Sequence, residues 1–532
     1  MPAPVLVLGN GPVGQTTALL LARWGVPTVL LDRRPCRDLV GSKSIVQQRD
    51  VLDVWESVGA GRRIADEGLT WTLARTYYRD TELFSTRFPD RGRSPFPPFV
   101  NISQGRTEQI LDERVAASPL VDARWGHDVT AIRQDDHGVE VTCTRENAPP
   151  VTLRGSHAVA CTGARREVRD MLGVTFEGRA FDDRFLICDV RTDLPGWRHE
   201  RRFAFDPAWN PGRQVLIHPC PDSVYRIDWQ VPPEVDLAEE QANGTLDRRI
   251  RQIVGEHPYE LVWSSLYRFQ SRHASRFQVG RVLLAGDAAH LYAPFGARGL
   301  NSGVQDAENA AWKIAAVRHG WAPESLLETY DTERRAAALE NLDVTSRTMD
   351  FLVPQSDEAR EWRHDVLARA ADDPAVRALV DSGRLAEPFW YVDSPLTTPD
   401  ASRPTPVRPP KGEVPTPAPG VLVPDVPVRL PGTSGPTALR RLVRGGLLAL
   451  TGPGVDASHI GALLEETVAA RVRALSVPEV DTDDELAACL VLRTAETWLL
   501  RPDGHVAAVV PGGPAADEAL RAAARRSLGY VG

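Results

Sequence analysis

Two glycine-dense turns constrain this chain more than any other feature. "LGNGPVG" at 8–14 follows the apolar run "PVLVL", and "AGDAAHLYAPFGARGLNSG" at 285–303 follows "RVLL", nearly three hundred residues later. Gly9, Gly11 and Gly14 match G-x-G-x-x-G. The run before them reads as a buried parallel strand, "QTTALLLARWG" as a helix ended by Gly25, and "VPTVLLD" as the next strand. That is a β-α-β unit. In such a unit the first glycine permits a tight turn, the second lets backbone approach a pyrophosphate, and the third lets the helix pack closely. Phosphate oxygens then meet the helix start at Pro12, Val13 and Gly14. Asp32, ending the second strand, is placed to accept hydrogen bonds from a ribose.

The second turn extends the same site. Asp287, delivered by its own strand, can hold the hydroxyls of a second sugar or a sugar alcohol. Pro294, Gly296, Gly299, Leu300 and Asn301 then open a long helix over "NSGVQDAENAAWKIAAVRHG". Glycines there let backbone lie against something flat, and the helix start offers N–H groups to an electron-rich edge. The plainer alternative is a helix capped by Asn301 or Ser302. We expect one nucleotide site built from both turns.

Composition removes other classes. The 532 residues carry a net charge of −9, so no basic footprint for nucleic acid or an acidic membrane surface is present. Six cysteines, Cys36, Cys143, Cys161, Cys188, Cys220 and Cys489, form no CxxC pair and no metal-ligand spacing. Buried thiols in a reducing compartment are expected, and no metal. The N-terminus lacks a signal pattern and no run of eighteen apolar residues occurs, so a cytoplasmic location is expected.

Between the turns, residues 73–100 partly alternate, which reads as a hairpin followed by the loop "RGRSPFPPF". "SQGRTEQILDERVAAS" returns to helical spacing, with Ile110, Leu111 and Val115 on one stripe. Residues 181–272 alternate again, with aromatic-rich strands such as "RQVLIHP" and "VYRIDWQVP" that suggest an antiparallel sheet. Prolines crowd 395–435, a linker or wrapping segment. "GGLLALTGPG", "TWLLRPDGHVAAVV" and "ADEALRAAARRSL" beyond it suit a small α/β domain.

The order "GNGPVG", Asp32, Gln104, "AGDAAH" and "PFGARGLNSGVQDAENAAWK" resembles the single-component FAD-dependent aromatic hydroxylases of the para-hydroxybenzoate hydroxylase fold. "SIVQQRDVLDVWESVG" and "FLVP" resemble the branch of 3-(3-hydroxyphenyl)propionate and polyketide hydroxylases. The resemblance covers residues 1 to about 355 well and the rest weakly. It implies an α/β fold: a Rossmann-like FAD-binding domain (1–72, 102–180, 273–394) interleaved with an antiparallel-sheet substrate domain (73–101, 181–272). A Pro-rich linker (395–435) and a thioredoxin-like C-terminal domain (436–532) follow. It further implies that the first turn binds the ADP half of FAD, with Arg33 near the adenosine. Asp287 then holds the ribityl chain, Pro294 to Asn301 lies beneath the isoalloxazine, and Gln104 makes a polar contact to the cofactor.

In that family NADH or NADPH reduces the flavin, O2 forms a flavin C4a-hydroperoxide, and one oxygen passes to an electron-rich aromatic ring. The partners implied are a small aromatic substrate and O2, and a homodimer is left open. Candidate substrate contacts are Tyr77, Tyr78, Arg79, His218, Tyr225, Arg226, Asp228, Gln230 and Tyr292. Among these, His218 and Tyr225 are the choices for orienting or deprotonating a phenol, and His290 is expected to be structural.

The chain departs from the family where an Asp-Gly pair is usual. "VACTGARREVRDMLG" puts Thr162 in place of the aspartate and Arg166 in place of a serine, keeping Gly163, Arg165 and Arg169. Ala297 stands for a usual glycine. Thr162 supplies no fixed charge, which puts the reduction step in doubt. It leaves two alternatives open: a flavin oxidoreductase of this fold that does not insert oxygen, and a non-catalytic FAD-binding protein. A plain NAD-dependent dehydrogenase would leave the second turn unexplained.

Overall fold

In the computed structural model, which describes residues 3–530 apart from 39, 40, 42, 88–93, 410–414 and 482, the strands feeding the two glycine turns flank one strand. Val5–Leu8 and Val282–Leu284 both pair in parallel with Ala158–Ala160. The full sheet runs Gln278–Val279, Val282–Leu284, Ala158–Ala160, Val5–Leu8, Thr28–Leu31, Val121–Arg124, parallel apart from its first strand. Its four central strands are buried throughout, as expected for a covered parallel sheet.

Helix Pro12–Arg23 starts on Gly11 with proline in its first turn and ends before Gly25, whose φ is +78°. It packs against Gln104–Ala116 and against Arg298–Arg318. Ser103 caps the second of these helices, accepting from the Arg106 N–H at 3.2 Å. The third begins three residues earlier than its sequence pattern suggested, on Ala297 at φ +56°, so neither Asn301 nor Ser302 is its cap. A three-stranded meander, Asp128–Asp135, Gly138–Arg145 and Ala148–Gly155, was not foreseen. It contributes Val139, Val141 and Cys143 to the same core.

The second sheet has eight strands, in the order His290–Leu291, Tyr259–Ala274, Phe176–Thr192, Val224–Val231, Gln214–Pro219, Glu200–Phe205, Leu73–Tyr78, Thr81–Arg87. The last two form the expected hairpin, while part of the loop after it, 88–93, lies outside the described residues. The edge strand His290–Leu291 belongs to the second glycine turn, so that turn is hydrogen-bonded directly to this sheet.

Both faces of the sheet are covered, differently. On one, Val215, Ile217, Tyr225, Ile227 and Trp229 pack on Leu246, Ile250 and Val254 of helix Thr245–Val254. On the other, Phe185, Phe203, Phe205, Leu216 and Phe269 pack on Phe295 of the second turn and on Met349, Phe351 and Leu352 at the end of helix Glu328–Leu352.

The C-terminal sheet runs Val472–Ser476, Leu447–Thr451, Glu496–Leu500, Val506–Pro511. Its first pair is parallel across helix Ala457–Thr467, the rest is antiparallel, and helix Ala516–Ser527 follows. This is the thioredoxin arrangement. The proline-rich stretch is only partly a linker: Val423, Val426 and Val428 are buried in the C-terminal core, and Leu396 in that of the first domain.

Candidate active site

Val13 joins the two glycine turns. Its side chain wedges between Gly286 and Gly303, where an added Cβ would lie 3.0 Å and 2.6 Å from Val13 Cγ2. Any larger residue at either glycine would push the turns apart. Gly9, at φ +109°, lies so close to the Cys161 carbonyl that a Cβ would fall 2.3 Å from its oxygen, and a Cβ on Gly14 would fall 1.8 Å from the Gly9 oxygen. These four close approaches fix the two turns. Gly11 and Gly299 differ: among the described residues, apart from chain neighbours and the helix's own backbone, no atom lies within 4 Å of where a Cβ would sit on either. Open space faces the backbone at both turns.

Asp32 is buried and accepts from the Asn10 N–H at 2.8 Å, the Arg34 N–H at 2.9 Å and the Arg34 guanidinium at 3.0 and 3.1 Å. Burial pushes its carboxyl upward, but these hydrogen bonds outweigh it and hold it below the usual range. Arg33, the arginine expected near the adenosine, is exposed. Its neighbours take the inner positions. Arg37 is buried, donates to the Asn10 carbonyl at 3.0 Å and is ion-paired to Glu108 and Asp112. Gln104 heads the same helix as those two carboxylates; it accepts from the Ser44 N–H at 3.2 Å and donates to Glu108 at 2.8 Å.

At the second turn, Asp287 sits between buried Gly286 and Ala288 with its own side chain open to solvent. Among the described residues no donor bonds its carboxylate, and burial raises its pKa. Asn301 clamps the short strand Val46–Gln48 to the helix start, accepting from the Gln48 N–H at 3.0 Å and donating to the Val46 carbonyl at 2.9 Å. Among the described residues the side-chain amides of Gln47 and, at its nitrogen, Gln48 are buried there without partners, as is the Thr162 hydroxyl.

On the sheet face toward Phe295, neighbouring strands bring together His218, Arg226 and Asp228. His218 pairs with Arg226 and Leu216 with Asp228, so the three polar side chains share that face with Leu216. Arg201, on the same face of the next strand, donates to the Ser382 carbonyl at 2.8 Å, and Arg226 holds Asp189 at 2.9 and 3.1 Å. Among the described residues Asp228 Oδ1 and His218 Nδ1 have no hydrogen-bond partner. Burial pushes the Asp228 carboxyl up to about 7, with Arg226 and Arg201 pulling the other way and Asp189 adding to the rise. His218 is held well below its ordinary value, first by burial and then by Arg201 and Arg226, so it is neutral.

The other candidates, apart from Gln230 on the same face, are placed elsewhere. Tyr225 corrects the expectation: it lies on the opposite face, in the helix-covered core, with its hydroxyl donating to the Leu194 carbonyl at 3.4 Å. Period-two alternation puts it and His218 on opposite sides. Gln230 is occupied by Asp183 and the Gln214 N–H. Arg79 pairs with Asp206 at an exposed edge, Tyr78 meets His364, and Tyr77 stacks under Arg202. Tyr292 stacks on His290 with ring centroids 4.6 Å apart, and His290 is fully buried against Asp306 at 2.7 Å.

Residues 2–345 match the family described as FAD binding domain, and residues 416–530 match aromatic-ring hydroxylase, C-terminal. The chain belongs to the FAD-dependent aromatic hydroxylases. It is 34% identical over 363 residues to a flavin-dependent monooxygenase of Mycobacteroides abscessus, covering 64% of this chain and 73% of that one. It is 28% identical over 404 residues to a 3-(3-hydroxy-phenyl)propionate/3-hydroxycinnamic acid hydroxylase of Mycobacterium sp. (strain JLS), covering 75% and 69%. In fold, the hydroxylase superposes on the flavin-dependent monooxygenase PieE with a TM-score of 0.87 at 23% identity, over all of both chains. Aklavinone-11 hydroxylase follows at 0.80 and 23%, over 99% of both.

The residues of this hydroxylase fit FAD. Open backbone at Gly11 suits a pyrophosphate and at Gly299 a flat ring; among the described residues Thr162, Gln47 and Gln48 carry buried polar atoms without a hydrogen-bond partner, and the exposed Asp287 carboxylate is free to accept. Arg34, Arg37, Gln47 and Gln48 were missed from sequence. The arginines follow Asp32 within five residues, and the glutamines lie within the family-like stretch after Ser44, signals that point to them in retrospect. Among the described residues no helix is long and apolar enough to cross a membrane, and no cluster could hold a metal.

Proposed function

We propose that this hydroxylase adds one oxygen atom to a phenolic or polyketide-type aromatic ring, with Asp228 and His218 recognising the phenol. The observation that supports this most is the pair of unpartnered buried polar atoms, Asp228 Oδ1 and His218 Nδ1, on the aromatic sheet face turned toward Phe295. Bound FAD, with NAD(P)H and O2 as the family's typical co-substrates, supplies the redox chemistry.

The chain's own residues do the rest. An acceptor at about 7 is matched far better to a phenol, near 10, than an ordinary aspartate is. Asp228 takes the phenolic proton or its hydrogen bond, which raises the nucleophilicity of the ring. Arg201 and Arg226 offset the charge that develops, at short range in a poorly solvated site. Phe185, Phe203, Phe269 and Phe295 exclude water and present an apolar wall to the ring. Gly11, Gly14, Asp32, Asp287, Pro294, Gly299, Leu300 and Asn301 hold the cofactor. We place the enzyme in the cytoplasm, as a homodimer.

The test is a screen of phenolic acids and polyketide intermediates for stimulated NADH and NADPH oxidation, coupled to O2 uptake and a product heavier by one oxygen. A second reading, a flavin oxidoreductase without oxygen insertion, is favoured by the unpartnered Thr162 hydroxyl where the family has a carboxylate. Stimulated oxidation with no oxygen in the product would support that reading and overturn the first.

A further inference from the structure

The turn Arg501-Pro502-Asp503-Gly504-His505 joins two strands of the C-terminal domain, far from the flavin site in sequence. Arg501 is nonetheless wholly buried and grips Glu333 of helix Glu328–Leu352 with two hydrogen bonds, at 2.5 and 3.0 Å. It also holds Asp503 at 2.6 Å and lies over the Tyr391 ring, 5.0 Å from its centroid. Glu333 takes Lys313 at 2.7 Å, Asn309 at 2.8 Å and Ser394 at 2.6 Å.

The next residue, Arg334, continues the line. It donates to the Tyr391 hydroxyl at 2.9 Å, to the Ser302 carbonyl at 3.2 Å and to Asp306 at 2.6 Å. Asp306 in turn accepts from the Gly286 N–H at 2.9 Å and from His290 at 2.7 Å. Gly286 precedes Asp287, and Ser302 follows Asn301. An unbroken set of buried charges and hydrogen bonds thus runs from the C-terminal domain to both halves of the second glycine turn.

We propose that Arg501 is a positioning residue for the flavin, setting the Gly286–Asp287 turn and the start of helix Arg298–Arg318 through Tyr391, Glu333, Arg334 and Asp306. The proposal rests on the FAD site described above.

The charge count gives the reason. Arg501, Arg334 and Lys313 balance Glu333, Asp306 and Asp503 among ion pairs that are almost fully shielded from solvent. Removing Arg501 leaves carboxylates in excess, and Glu333 then draws on Asn309, which also donates to the Tyr391 hydroxyl that receives Arg334. A buried carboxylate short of a cation draws on its nearest neighbour, since water is not there to replace it. Asp306 loosens, and the Gly286 N–H and His290 lose the acceptor that orients them. Without CxxC the domain has no dithiol chemistry; this contact gives it a part in the flavin site.

The experiment compares three full-length variants for FAD dissociation constant, visible circular dichroism of bound flavin, and melting temperature. Arg501→Met is expected to weaken FAD about tenfold and to alter the dichroism, with Arg501→Lys restoring part of both. Tyr391→Phe removes only the hydroxyl that receives Arg334, and is expected to move both readouts the same way by less. Arg444→Met is the control. It breaks a largely buried link between the same domains, to Asp53 at 2.7 Å and Glu308 at 2.6 Å, with no hydrogen bond to Asp306. It should lower the melting temperature while leaving FAD affinity within about twofold.

The proposal is overturned if Arg444→Met weakens FAD as much as Arg501→Met does, or if Tyr391→Phe leaves both flavin readouts unchanged. Should Arg501→Met fail to fold, the contrast between Tyr391→Phe and Arg444→Met decides. Failure of the wild-type protein to bind FAD would instead count against the site itself.

Discussion

Asp228→Asn separates stability from chemistry at one atom. In the folded protein the carboxyl titrates at about 7 instead of 3.8, chiefly because burial penalises the charged form. Between those values the folded chain keeps a proton that the unfolded chain has released, so stability falls as pH rises from about 4 to about 7 and stays low above. A rise of about three pH units at ~1.4 kcal/mol each gives a penalty of ~4 kcal/mol in full shielding, and about half of that where solvent reaches the side chain. Asparagine keeps the shape and cannot ionise. The variant should therefore melt at higher temperature than wild type in saturating FAD, and the gap should widen by several degrees from pH 5 to pH 8.

Hydroxylation should move the other way. Loss of a general base costs about 10²–10⁴-fold in turnover, and the wild-type rise in kcat/KM through pH 7 should vanish. Parallel melting curves at both pH values, or an unchanged pH profile of turnover, would refute the reasoning.

The glycine turns make sharp contrasts. Gly11→Ala meets open space, so the apoprotein should keep its melting temperature while FAD binding falls by at least about tenfold; Gly14→Ala collides with the Gly9 carbonyl and should cost the fold itself, read as loss of soluble protein. Asp287→Ala removes an acceptor worth about 1.5–3 kcal/mol to the bound ligand, so a fluorescence titration should show FAD affinity down about 10- to 100-fold. Tyr225→Phe loses one long hydrogen bond on the far face of the sheet, so kcat and KM should stay within about twofold and stability within ~1 kcal/mol.

Local rules made the first turn legible. A strand, three glycines, a helix and an acid at the next strand end lie within thirty residues, each demanded by backbone geometry at its own position. The second turn was legible as a companion because it repeats the pattern, although its helix starts earlier, on Ala297 in the left-handed region, than its cap residues suggested. The substrate face was not legible. Alternation divides "VYRIDWQVP" into two sets but does not say which set meets the flavin, and here both faces are covered by apolar cores. Tyr225 was therefore as good a choice as His218 from sequence, and Asp228 could not be ranked, since its weakened acidity comes chiefly from burial, which the tertiary fold sets. The same holds for Arg501 and Glu333, which meet across 168 residues. The meander 128–155 was legible but not read: "VEVTCTR" alternates apolar and polar residues, and Val139, Val141 and Cys143 are its buried set.

The central claim is that one FAD is held jointly by two turns remote in the chain. A crystal structure of the FAD complex tests it most directly. The account requires a single cofactor whose pyrophosphate lies against Gly11, whose ribityl chain reaches Asp287 and whose ring rests on Gly299. A nucleotide seated at Gly11 with its flavin directed away from Pro294–Asn301 would contradict it.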